Sequence, residues 1–200
     1  MRAVNFPTLF FAQAARFKDR VALRHKDFGI WHRISWKEYA AGVREVAAGL
    51  ISLGVGHGDR VSILGENRPE WLICDLAVMT IGGITCGIYT TSAPEEVAYI
   101  VGHSESKVIF IENEEQVDKI LQILPEVNLK KVIVWDSKGL WGFAQEKVAF
   151  YSEFLKDSRE YLRDNPLCVE ARLETVRPDD TAMIIYTSGK IGRASCRERV

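Results

Sequence analysis

Two hydroxyl residues and a glycine stand in a row where an apolar run ends, at Tyr186-Thr187-Ser188-Gly189. The run before them, Ala182-Met183-Ile184-Ile185, has the composition of a buried strand. Hydroxyls and backbone N–H groups gathered at a strand end can hold phosphate oxygens, because each donor faces a concentrated negative charge. Gly189 lacks the Cβ that would keep an anion at a distance. Taken alone, four residues favour a plain strand-end turn.

Other glycine clusters fail on context. Gly54-Val55-Gly56-His57-Gly58 follows a helical pattern and precedes a strand. A dinucleotide fingerprint needs the reverse order, so that pyrophosphate meets a helix N-terminus. Gly82-Gly83 also follows a helix. No Gly-x-x-x-x-Gly-Lys-Ser/Thr loop occurs, which removes the ordinary P-loop NTPase reading.

Metal and thiol chemistry find no footing. Cys74, Cys86, Cys168 and Cys196 form no Cys-x-x-Cys pair, and His25, His32, His57 and His103 are scattered. Reduced, mostly buried thiols of a cytoplasmic protein are expected. Hydrophobic content of 47% and charged content of 26% are those of a soluble globular chain. The net charge of −1 gives no general pull toward nucleic acid. No apolar run approaches the roughly 20 residues of a membrane span, which leaves peripheral membrane association open. Met1-Arg2-Ala3-Val4-Asn5-Phe6-Pro7 lacks the apolar core of a signal peptide. Leu9-Phe10-Phe11 reads as core, not as an anchor.

The elements that must carry the loop follow from periodicity and punctuation. Thr8 to Phe17 is apolar at helical spacing. Residues 21–23 and 31–34 flank a turn at Asp27-Phe28-Gly29 and read as a hairpin. Ser35 and Glu38 make a capping box for a helix with one apolar stripe from Trp36 to Leu53, stopped by Gly54. Residues 59–64 read as a strand, 65–68 as a turn, 69–81 as a helix and 84–89 as a strand. Ser92 and Glu95 repeat the capping-box spacing, with Pro94 in the first turn of a helix reaching about His103. Strand 107–111, helix 114–124 and strand 131–135 follow. Residues 136–150 read as irregular, 152–163 as a polar helix, and 177–180 as a turn feeding the last strand. Alternating strands and helices predict an α/β fold with a mainly parallel sheet flanked by helices.

Several blocks now agree with the terminal loop. They are Gly65-Glu66-Asn67-Arg68-Pro69-Glu70-Trp71, residues 82–92 from Gly82 to Ser92, Glu95-Glu96-Val97-Ala98-Tyr99-Ile100, Trp135-Asp136-Ser137-Lys138-Gly139-Leu140, and Asp180-Thr181-Ala182 before Tyr186-Thr187-Ser188-Gly189. In this order they resemble the N-terminal part of long-chain acyl-CoA synthetases, within the AMP-binding, adenylate-forming superfamily. The resemblance runs from about residue 8 to 189. It implies a partial N-terminal AMP-binding domain over residues 1–189. It also implies a two-step reaction. A fatty acid carboxylate attacks the α-phosphate of Mg-ATP, giving acyl-adenylate and pyrophosphate, and the thiol of coenzyme A then displaces AMP. Adenylation replaces a hopeless oxide leaving group with a stabilised phosphate and divides one hard step into two. ATP, Mg²⁺ and coenzyme A are thus implied for the parent enzyme. Thr187, Ser188 and Gly189 are implied as contacts to the β- and γ-phosphates. The Gly65–Trp71 block is a family marker with no catalytic role assigned. Its plain reading is a strand-to-helix turn, with Trp71 packed inward and Glu66 and Glu70 as exposed helix-cap charges.

After Gly189 the family pattern continues with two hydroxyls, glycine, any residue, proline and lysine. Here Lys190-Ile191-Gly192-Arg193-Ala194-Ser195 follows, and Ser195 stands at the lysine position. Residues 191–200 back-translate as ATC GGA AGA GCG TCG TGT AGG GAA AGA GTG, which looks like one frame of a sequencing adapter. We therefore expect residues 190–200 to be a non-native tail. Without Arg193, Arg197, Arg199 and Glu198, 23 basic and 26 acidic residues remain, a net of −3. The basic cluster at the C-terminus then says nothing about nucleic acid. Later family segments for adenine, ribose, Mg²⁺ and the acyl tunnel are not in this sequence, so the chain itself is expected to be inactive. Two alternatives stay open: an acyl-adenylating relative that loads a carrier protein, and a non-catalytic α/β module.

Overall fold

The computed structural model describes residues 4–187 and the backbone of residues 197–199. Helix α1 (Phe6–Phe17) starts two residues before the apolar pattern does. The Asn5 side chain accepts from Thr8 N–H, and Pro7 occupies the first turn, where its missing N–H costs nothing. Strands β1 (Val21–Asp27) and β2 (Ile30–Ser35) form a separate antiparallel hairpin. Phe28 and Gly29 both have positive φ, which makes the two-residue connection match the twist of the strands.

Helix α2 (Trp36–Ser52) carries the expected capping box in full. Ser35 Oγ accepts from Glu38 N–H at 3.2 Å, and Glu38 Oε2 accepts from Ser35 N–H at 2.8 Å. Replacing Ser35 with alanine should cost about 1 kcal/mol in urea unfolding. An unchanged midpoint would show that the cap adds nothing to what tertiary packing already holds. Gly54, at φ +74°, ends the helix where a side chain would be strained.

The chain then alternates through β3 (Arg60–Leu64), α3 (Pro69–Thr80), β4 (Ile84–Ile88), α4 (Pro94–Ser104), β5 (Ser106–Ile111), α5 (Glu114–Ile123) and β6 (Lys131–Val134). One expected cap is corrected here. Ala93, not Ser92, is the N-cap of α4, and Glu96 Oε2, not Glu95, accepts from the Ala93 N–H. Pro94 sets this register, since a proline tolerated at the first helical position moves the cap to the residue before it. Two short elements lay within stretches read as irregular or left unassigned: strand β7 (Val148–Phe150) and helix α7 (Cys168–Leu173). Helix α6 (Tyr151–Asp164) is polar in composition yet buries Phe154 and Ser158 against α2. Strand β8 (Thr181–Ile185) follows.

Six strands lie parallel in the order β7-β6-β5-β3-β4-β8. Strand β9 (Arg197–Arg199) pairs antiparallel with the outer edge of β8. Alternate strand residues feed two cores. Val61, Ile63, Val108, Phe110 and Ile133 meet α1, α2, α3, α6 and α7 on one face. Leu64, Ile88, Ile109, Ile111 and Val134 meet α4 and α5 on the other. Burial on both faces explains why the strands read as near-continuous apolar runs.

Candidate functional site

Strand β8 delivers Thr187 to the carboxyl edge of the parallel sheet, where open α/β sheets place their ligand sites. Thr187 is exposed. Ser188 and Gly189, the other two residues of the expected phosphate loop, lie outside the described residues, as does the 190–196 segment.

The base of the loop is anchored. Tyr186 turns its ring back against α4, where its hydroxyl bonds His103 Nδ1 at 2.8 Å. His103 stacks on Tyr99 with ring centroids 5.4 Å apart, and Tyr186 stands edge-on to both. Burial pushes the Tyr186 hydroxyl up to about 12, with the Cys86 and Tyr99 groups adding to it. The group is therefore neutral near pH 7 and acts as a hydrogen-bonding anchor, not a base. At the other end of β8, Asp180 accepts from Arg177 N–H at 2.7 Å and bonds His57 Nε2 at 2.8 Å. Burial acts to raise its carboxyl. The Arg177 N–H and the His57 ring more than offset that and hold it below the usual carboxylate range.

The topological switch point is built differently. Strand β3 leads through α3 to β4 on one side, and β4 leads through α4 to β5 on the other, so the crevice opens between β3 and β5. There the chain fills its own crevice. Glu112 Oε2 accepts from Glu66 N–H at 2.7 Å. Arg68 bonds Glu70 at 2.7 and 3.2 Å and reaches Glu112 at 3.5 Å. The Arg68 guanidinium lies 5.8 Å from the Trp135 ring centroid, and that ring packs so closely on Gly65 that a Cβ there would collide with it. Burial acts to lower the Arg68 pKa, but Glu70, Glu112 and Asp136 outweigh it. The Glu66 N–H is already satisfied by a carboxylate and the Arg68 guanidinium is paired with Glu70 and Glu112, so these donors are occupied within the chain. The phosphate-loop candidate lies at the β8 edge, away from this switch point.

This corrects the plain reading of the Gly65–Trp71 block. Glu66 is exposed, as expected, with its Oε1 accepting from the Thr90 hydroxyl at 2.5 Å, whereas Glu70 is half-buried and paired with Arg68. Trp71 is half-buried against the α2–α3 core, as expected. Sequence reasoning missed the Arg68 network because Glu112 and Asp136 lie just past the later strands β5 and β6. The available signal was an arginine two residues from a glutamate in a block otherwise without an assigned role.

Among the described residues no reactive thiol stands at this edge. Cys74 and Cys86 are buried and unpaired, and burial pushes both thiols up, so neither is a ready nucleophile. Cys168 is half-buried, and Cys196 lies outside the described residues. Among the described residues no three His, Cys, Asp or Glu side chains gather to hold a metal ion.

Residues 10–193 match the family of AMP-binding enzymes. The chain belongs to that family. It is 32% identical over 193 residues to the long-chain-fatty-acid–CoA ligase ACSBG2 of Xenopus laevis, covering 95% of this chain and 25% of that protein. It is also 32% identical over 190 residues to the long-chain-fatty-acid–CoA ligase FadD15 of Mycobacterium tuberculosis, covering 94% of this chain and 30% of the relative. Among solved structures, the fold is like that of the anthranilate CoA ligase AuaEII in complex with anthranoyl-AMP, at TM-score 0.77 and 19% identity over 94% of this chain and 33% of that one. It is also like coronafacic acid ligase from Pectobacterium brasiliense, at TM-score 0.69 and 20% identity over 92% of this chain and 33% of that one. The parallel sheet flanked by helices is therefore part of the large N-terminal region of an AMP-binding enzyme. The chain spans about a quarter to three tenths of the length of these curated relatives.

Proposed function

We propose that the whole protein of which this chain is a part activates long-chain fatty acids with ATP and passes the acyl group to coenzyme A. One observation carries the reading. In a chain matched over residues 10–193 by the AMP-binding family, β8 ends in Tyr186-Thr187 at the carboxyl edge of the sheet, followed in sequence by Ser188-Gly189. The two long-chain-fatty-acid–CoA ligases support the substrate class and the thiol acceptor. Thr187, Ser188 and Gly189 would hold the β- and γ-phosphates of ATP through hydroxyl and N–H donors. Mg²⁺ would neutralise phosphate charge when bound with ATP. Among the described residues no three His, Cys, Asp or Glu side chains gather to hold it.

The reading extends to the tail and the compartment. Residues 190–200 are a non-native continuation that replaces the second half of the loop, and sequencing the gene across codon 190 decides this. The free thiols Cys74 and Cys86 suit a reducing cytoplasm. No helix among the described residues is long and apolar enough to cross a membrane.

Fatty-acid-dependent ATP–pyrophosphate exchange tests the activity. The product of the uninterrupted gene should catalyse exchange with long-chain acids and form acyl-CoA. The 200-residue chain should catalyse none, because charge neutralisation by the rest of the loop contributes most of the rate. Exchange by the short chain would refute its inactivity. A full-length product that adenylates only short or aromatic acids would overturn the substrate class.

A further inference from the structure

The β1–β2 hairpin carries three energetic costs. First, its register sets Arg24 directly opposite Arg33, and Lys26 opposite Trp31. Alternation puts Arg24, Lys26, Trp31 and Arg33 on one face of the hairpin. Like charges directly opposite each other destabilise a strand pair. Among the described residues, no carboxylate lies within ion-pair distance of Arg24, Lys26 or Arg33. Second, Phe28 sits at φ +44°, a left-handed position that suits asparagine, aspartate or glycine. It gains no burial in return, being 83% exposed. Third, Ile30 and Trp31 are each 64% exposed on a short strand whose other side is no better covered. The Lys138 ammonium, 4.9 Å from the Phe28 ring centroid, brings one more cation to the tip. The loop that carries it also presents Trp141, 90% exposed.

Charge is concentrated to match. Residues 16–37 hold seven cations against two anions, Asp19 and Asp27, for a net of +5 in a chain whose total is −1. The rest of the chain is therefore acidic, and the hairpin region is a local positive pole.

We propose that this hairpin docks the protein on an anionic lipid surface, with Arg24, Lys26 and Arg33 against headgroup phosphates and Phe28, Ile30 and Trp31 in the headgroup–acyl boundary. Cations on one face with an aromatic and apolar tip are what an interfacial element needs. A single-stranded nucleic acid would use the cations and could stack on Trp31 and Phe28, but it has no use for Ile30 at the turn. A bilayer uses both sets. The proposal stands apart from the adenylation reading, so failure of the exchange assay leaves it intact, and the reverse.

Vesicle flotation with the 200-residue chain tests it. The chain should float with phosphatidylcholine vesicles that contain phosphatidylglycerol, not with pure phosphatidylcholine, and release as salt is raised. Arg24→Ser with Arg33→Ser should lower the partition coefficient about 25-fold, roughly fivefold for each cation. Phe28→Asn should lower it about tenfold through lost apolar insertion. Both variants should melt no lower than the parent, because one relieves repulsion and the other suits the turn, so lost binding cannot be lost folding. Equal binding to neutral vesicles, or full binding by the variants, would overturn the proposal. Retention of a single-stranded oligonucleotide by the same cations without any vesicle binding would overturn it in favour of nucleic acid.

Discussion

Gly49→Ala lowers the stability of this chain by about 3 kcal/mol, although helix propensity alone predicts a gain of about 1 kcal/mol. Gly49 lies inside α2, where glycine is a poor helix former. It is fully enclosed by α6. A Cβ at this position would sit inside van der Waals distance of Ser158 Oγ and of the Phe154 ring. Neither group can step aside. Phe154 is wedged edge-on against Phe110 from β5 at 5.8 Å, and the Ser158 hydroxyl donates to Phe154 O at 2.6 Å. The added methyl must therefore push α6 away from α2 or force off-rotamer side chains, both of which cost energy in a close-packed interior. Urea unfolding of the chain and the variant measures the difference. Combining Gly49→Ala with Ser158→Gly should recover part of the loss by removing one of the two obstacles. A Gly49→Ala variant as stable as the parent would show that the α2–α6 contact is looser than this packing requires.

Asp75→Asn stabilises the chain by about 2 kcal/mol at pH 8 and by almost nothing near pH 4. Asp75 lies on α3, and its Oδ1 is buried without a hydrogen-bond partner, as is the hydroxyl of Thr85 on β4. Burial pushes the Asp75 carboxyl up to about 6, with Thr85 opposing that shift from beyond hydrogen-bonding geometry. Its charge in turn adds to the burial that raises the hydroxyl of Tyr39 on α2. The unfolded chain ionises this group near pH 3.9. Between pH 3.9 and 6 the folded state keeps a proton that the unfolded state releases, so stability falls as pH rises through that window. Two pKa units correspond to about 3 kcal/mol, and partial solvent access reduces the expected penalty to about 2 kcal/mol. Asparagine keeps the shape without the charge. Thermal melts of both forms from pH 4 to 8 should converge at the acid end and separate at the neutral end. A constant gap across that range, or a less stable variant at pH 8, would rule out a buried titrating carboxylate as the cause.

Both effects depend on parts of the chain that periodicity cannot see. The helices with strong stripes, the hairpin turn at Phe28-Gly29 and the Ser35–Glu38 box were legible because each depends on residues within about four positions of one another. The α4 cap was misplaced by one residue because two overlapping spacings competed and the proline decided between them. Strand β7 was missed because three half-buried residues carry no alternation, and they become a strand only by pairing with β6. The phosphate-loop candidate was legible as a string of residue types. Its anchorage on His103, 83 positions earlier, was not.

The amino-acid sequence by itself determined the α/β class, most element boundaries, the membership blocks from Gly65 to Gly189, and the local positive charge of residues 16–37. All of these are written in residue type and short spacing. Tertiary structure alone decided the strand order, the switch point plugged by Arg68, Glu112 and Trp135, the fit of α6 over Gly49, and the burial of the Asp75 carboxyl of α3 near Tyr39 and Thr85. Each of these joins residues tens of positions apart, and their energies come from dense packing and low polarity that exist only once the sheet is covered on both faces.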